Sequence, residues 1–97
     1  MMVIEYLTFK IHPSERDAWM AIDEQSWSRF LERQNGFISK QLWLERERPD
    51  EVHAVITWED EASWNAIPAE ELAAVDAEMG ALLREPTCRI FDVIRDS

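Results

Sequence analysis

The chain has 97 residues, 46% of them apolar, with five Trp and four Phe. That bounds it to one folded domain over 1–97, whose aromatic surface must find a core, a ligand or a partner subunit. Twenty acids against ten bases give a net charge of −10, a field that repels phosphate backbones and anionic lipid heads, so neither nucleic acid nor a membrane is an expected partner.

Cys88 is the only cysteine and can form no internal disulfide. No apolar run approaches the roughly 18 residues of a membrane span. The start, "MMVIEYLTFKIHP", lacks the basic opening and small-residue cleavage site of a secretory leader. A cytoplasmic protein is the expectation.

Residues 2–11, "MVIEYLTFKI", are rich in β-branched and aromatic types and read as a strand. Glu5, Leu7, Phe9 and Ile11 share one face; Ile4, Tyr6, Thr8 and Lys10 share the other. Pro13 and Ser14 stop the strand and open a helix, which runs to about Gln34 and ends at Asn35-Gly36. Residues 36–46 and 51–59 form two strands joined by the turn "RPDE", a hairpin. On the first of these, Ile38, Leu42 and Leu44 are expected to oppose Phe37 and Trp43. Asp60 is a plausible N-cap for a short helix, "EASWNAI", which Pro68 breaks. A second long helix is expected over 69–85, with Leu72, Val75, Met79, Leu82 and Leu83 on one stripe. Pro86 ends it, and "TCRIFDVIR" is the last strand.

The order β-α-β-β-α-β predicts an α+β, ferredoxin-like sandwich, a four-stranded antiparallel sheet with helices on one face and the first and third strands at the centre. Both faces of the strands carry apolar side chains. A sheet with one wet face would alternate more cleanly, and no spare element remains to cover the second face. A second copy of the chain is the simplest cover, so a homodimer through the sheet face is expected.

A strand ending in "TWEDEA" and running into a helix, within this element order, resembles the dimeric α/β-barrel superfamily of antibiotic-biosynthesis monooxygenase-like proteins. With the start "MVIEYLTFKI", the D-x-x-x-W of the first helix ("DEQSW") and "TWEDEASWNAIP", the chain looks closest to a small, mostly uncharacterised bacterial family within it. The resemblance implies two subunits closing their sheets into a barrel, with a pocket between helices and sheet in each. It matches Trp58 to a tryptophan that presses on the substrate in haem-degrading members. Those members also use an Asn on the first strand and a His on the last helix. Neither is present, since no Asn lies near Tyr6 and no His follows His53, so haem degradation is not expected. Other members oxidise electron-rich aromatic rings without a cofactor, and no cofactor is expected here.

Asp23 is the leading candidate for chemistry. At about 100° per residue, Trp19, Met20, Ile22, Trp27, Phe30 and Leu31 form an apolar arc with Asp23 near its middle. A carboxylate there has its pKa raised by desolvation and can move a proton; alternatively it makes a structural hydrogen bond to an indole N–H. Glu5 shares a face with Leu7 and Phe9. It could join Asp23 in sharing a proton or holding a cationic group, or it sits in water at a frayed strand start. Trp58, Trp27 and Trp64 could converge as an aromatic wall for a small apolar or aromatic ligand, or be core alone. His53 faces away from Trp58 and reads as an interface histidine; His12 reads as surface. No His or Cys pair has metal-ligand spacing, so no metal site is expected. Cys88 reads as buried and inert. Two functions remain open: cofactor-independent oxidation of a small aromatic substrate with Asp23 as catalytic group, or a non-catalytic dimeric small-molecule binding or stress-related protein with no active site.

Overall fold

The computed structural model describes residues Met1–Ser97. Four strands form one antiparallel sheet: β1 (Val3–Lys10), β2 (Phe37–Leu44), β3 (Glu51–Trp58) and β4 (Thr87–Asp92), in the order β2-β3-β1-β4. β1 and β3 are central, as their continuous β-branched and aromatic content requires. Their register sets Val3 against Trp58, Glu5 against Ile56 and Phe9 against Val52, so one face of the pair is apolar apart from Glu5.

A short 3₁₀ turn, Pro13–Glu15, leads into α1 (Arg16–Asp23). A π-helical turn, Glu24–Ser28, continues the rod into α2 (Arg29–Glu32). After the hairpin come α3 (Glu61–Asn65) and α4 (Ala69–Met79). Asp60 caps α3, its carboxylate accepting from the Ser63 N–H at 2.8 Å, a bond that also lowers the Asp60 pKa. These helices lie on one face of the sheet and bury two apolar clusters. Val3, Phe30, Leu31, Ile56, Trp58 and Val75 form one; Ile11, Trp19, Val52 and Met79 form the other.

Three expectations are corrected. The second long helix ends at Met79, six residues early, because Gly80 turns the chain at φ 57°, ψ −131°, a conformation side chains resist. A short 3₁₀ turn and an extended segment follow, and Leu83 is left exposed. In β2 a bulge between Phe37 and Ser39 shifts the register. Phe37 therefore joins Lys40 and Leu42 on the helix side, packing edge-on against Trp58 with ring centroids 5.9 Å apart, while Ile38 is exposed. Cys88 is exposed, because β4 is an edge strand that the helices do not cover. Partial burial and the Glu5 charge hold its thiol pKa up, which keeps the thiolate fraction low.

The sheet face away from the helices carries Tyr6, Trp43 and Phe91, with Tyr6 edge-on to Trp43 at 6.3 Å and to Phe91 at 5.8 Å. His53 lies beside them, as expected from its alternation with Trp58. Trp43 and Phe91 are nearly half exposed, at 48% and 42%, so this apolar face is uncovered in the single chain.

Gly36 closes the junction between α2 and β2 at φ 82°. Any Cβ there would collide with Cβ and Oγ of Ser63, whereas a Cβ at Gly80 meets nothing. Gly36→Ala should therefore cost more than Gly80→Ala: about 3 kcal/mol against 1–2, by strain plus collision against strain alone. Urea unfolding of the two variants against wild type measures the difference.

Candidate functional site

A cavity of about 290 Å³ lies between the helices and the sheet, partly open to solvent. Its walls are mainly apolar, and three of the indoles singled out above, Trp27, Trp58 and Trp64, contribute to them, as do Trp19 and Leu72. Trp58 is fully buried. Trp27 and Trp64 are partly buried and pack against the core, so they belong to core and cavity wall at once.

Asp23, at the end of α1, and Lys40, in the middle of β2, meet across the layer gap. Lys40 Nζ donates to Asp23 Oδ2 at 2.6 Å and to Ser28 Oγ at 2.9 Å. Both charged side chains are at least nine-tenths buried, 8% and 5% exposed. The π-helical turn makes this three-way contact possible. In an α-helix, residues five apart lie about 140° around the axis from each other. The wider i to i+5 turn narrows that angle, and Asp23 and Ser28 reach one ammonium together. Ser26, inside the turn, donates its hydroxyl to the Ile22 carbonyl at 2.6 Å, supplying a carbonyl that the altered ladder strains.

Glu5 completes the polar part of the site. It is not frayed into water: its carboxylate accepts from the Trp58 indole N–H at 3.1 Å, and it lines the cavity. The anticipated carboxylate–indole bond thus exists, but on Glu5 rather than on Asp23. Burial raises the Glu5 pKa, against the Trp58 hydrogen bond and the Lys40 charge, which lower it. Burial likewise raises Asp23, against the Lys40 charge and hydrogen bond. In both carboxyls burial disfavours the ionised form and the Lys40 charge opposes it. Trp19, another cavity-lining residue, has a buried indole N–H with no acceptor in the protein.

Lys40 and Ser28 escaped the sequence reading. The signal for Lys40 was present: it stands two residues before Leu42 and so shares its apolar face. No residue in "EQSWS" announces a π-helical turn, so Ser28 could not have been placed. At the cavity mouth, Arg84 binds Glu15 at 2.6 Å and ties the segment after α4 to the start of α1.

Residues 2–67 match the model of the antibiotic biosynthesis monooxygenase family. The chain belongs to that family. No curated protein matches it in sequence. Among solved structures, the fold is similar to a conserved protein from Methanosarcina mazei Go1, with 17% identity, coverage of 94% of this chain and 91% of that one, and a TM-score of 0.73. It is similar to a mutant of SnoaB, a cofactor-independent oxygenase from Streptomyces nogalater, with 22% identity, 98% and 95% coverage, and a TM-score of 0.70. Rv0793 from Mycobacterium tuberculosis is 16% identical, with 100% and 99% coverage and a TM-score of 0.73. At these identities the likeness is one of fold. No helix of the chain is long and apolar enough to cross a membrane.

Because its folded pKa is raised, Glu5 weakens the fold when ionised and ceases to do so as pH falls through that raised value toward the unfolded value of about 4.5. Glu51 and Asp60, whose pKa values are lowered, act in the opposite sense, so the difference between proteins is the readout. Melting temperatures of wild type and Glu5→Gln from pH 8 to 4 should show the variant relatively more stable at neutral pH, with that advantage shrinking on acidification. A difference independent of pH counts against the assignment.

Proposed function

We propose that this protein is a cofactor-independent monooxygenase acting on a small, electron-rich aromatic substrate held between the helices and the sheet. The observation that carries this reading is the buried Asp23–Lys40–Ser28 cluster at the wall of an aromatic-lined cavity. Trp27, Trp58 and Trp64 supply flat apolar contact for a ring system. Asp23 takes a proton from an acidic C–H beside a ring carbonyl or phenol. The Lys40 ammonium stabilises the oxyanion that forms. The resulting electron-rich anion supplies the electrons to dioxygen. One oxygen atom ends in the product carbonyl, and the other leaves as water with the two hydrogens removed from the carbon. The balance needs no external reductant. Family membership and the fold shared with a cofactor-independent oxygenase support the reading.

A second reading is favoured by the tight Lys40–Asp23 contact, which already satisfies the carboxylate. In it the pair is a tether between layers, and the cavity binds a ligand without turnover.

Anthrone, a ring ketone with an acidic methylene, separates the two. Wild type should consume one dioxygen per anthrone, and Asp23→Asn should lose at least a hundredfold in rate while still quenching tryptophan fluorescence on titration. Asp23→Asn leaves the Lys40 charge unpaired, at a stability cost of about 3–5 kcal/mol, so Trp58→Phe provides a second variant, expected to weaken anthrone binding severalfold. Saturable quenching without oxygen uptake in wild type selects the binding protein; absence of both overturns the pocket as a ligand site.

We further propose that two copies associate through the sheet face bearing Tyr6, Trp43 and Phe91, the apolar surface that the chain itself leaves uncovered. Sedimentation of wild type should give a dimer, and Trp43→Glu should shift it to monomer by placing a charge in the contact.

A further inference from the structure

On the sheet face opposite the cavity, the β2–β3 hairpin assembles a cluster that its sequence spacing did not suggest. Glu45 follows β2, Glu51 opens β3, and His53 lies two residues further along the same face. One donor atom from each lies within 4.8 Å of the other two. The imidazole is oriented from behind: its Nδ1 lies 2.8 Å from the Tyr6 hydroxyl and 3.3 Å from that of Thr8. Its Nε2 is buried and has no hydrogen-bond partner. Glu51 Oε1 lies 3.5 Å from it without forming a hydrogen bond. Glu51 is held in turn, with Oε2 accepting from Lys10 Nζ at 2.7 Å, which leaves Oε1 free toward His53.

A buried polar atom without a partner is costly and calls for an explanation. Here the open imidazole nitrogen faces two carboxylates. Three acids, Glu45, Asp50 and Glu51, outnumber the two cations near them, Lys10 and Arg48, so the local charge favours a further cation. We propose that Glu45, Glu51 and His53 form a binding site for a first-row divalent cation of the zinc type. One imidazole nitrogen with two carboxylate oxygens suits zinc, cobalt or nickel better than magnesium or calcium, which prefer all-oxygen shells. With Nδ1–H donating to the Tyr6 hydroxyl, the Nε2 lone pair is available to the ion. Such hydroxyl or carbonyl support behind a ligating histidine is the usual arrangement. Glu45 is exposed, with its side chain at 46%, so the site opens at the hairpin end of the sheet. The ion would clip the hairpin connection to the central strand. This proposal is independent of the cavity on the other face.

The test is titration of the chelator-treated full chain with Zn²⁺ by calorimetry, and with Co²⁺ by visible absorption. One ion per chain should bind saturably, with a rise in melting temperature of at least about 5 °C at excess Zn²⁺ and no comparable effect of Mg²⁺. His53→Gln and Glu45→Gln should each weaken Zn²⁺ binding at least tenfold, and Tyr6→Phe severalfold through loss of imidazole orientation. His12→Asn and Cys88→Ser, which remove the remaining soft donors, should leave it unchanged. Glu45 is exposed, so Glu45→Gln carries the test should His53→Gln fold poorly. Absence of saturable binding below 1 mM overturns the site, as does binding undiminished in Glu45→Gln or abolished in the His12 or Cys88 variant.

Discussion

The contact between Lys40 and the pair Asp23 and Ser28 is the constraint on which the interior depends. It is the one place where full charges from the helix layer and the sheet meet inside the protein. Removing two ions from water costs several kcal/mol each, and their attraction offsets this only with close geometry and additional hydrogen bonds. The 2.6 Å contact and the serine hydroxyl supply both. An apolar pair would pack at least as stably. The ionic one holds a gap open instead: the apolar walls of Trp19, Trp27 and Trp58 stand around a polar post, and the space between them is not filled by collapse.

That arrangement explains why the cores are divided. Members of both the cluster around Trp58 and the cluster around Trp19 line the cavity. Glu5 sits on the sheet beside Ile56, fixed by the Trp58 indole and acted on by the Lys40 charge. Burial raises the pKa of both carboxyls, and the one ammonium opposes the rise in each.

Much of the fold was legible because its elements have strong periods. The alternation in β1 and β3 assigned both faces correctly, and Asp60 and Gly36 marked real boundaries. The misjudged elements share a physical cause: each departs from a regular period. The bulge at Ile38 exchanges the faces of Phe37 and Ile38; Gly80 cuts a helix whose apolar stripe would otherwise continue. Asp23 was found because a carboxylate within an apolar arc is conspicuous. Its partner was missed because a lysine on a strand reads as solvated, and only the cross-layer geometry reveals an acid opposite it. The exposure of Cys88 could not be read from an apolar strand, since the same composition serves an edge and a centre.

The π-helical turn also has a meaning for helix phase. A turn of this kind holds one residue more than an α-turn, so the segment before it is rotated relative to the segment after it. Deleting a single residue between Glu24 and Ser28 would restore a regular helix at little local cost. It would also swing Asp23 and Trp19 away from the cavity while Phe30 and Leu31 stayed in place. The length of this one turn therefore decides whether the acid–lysine pair can form.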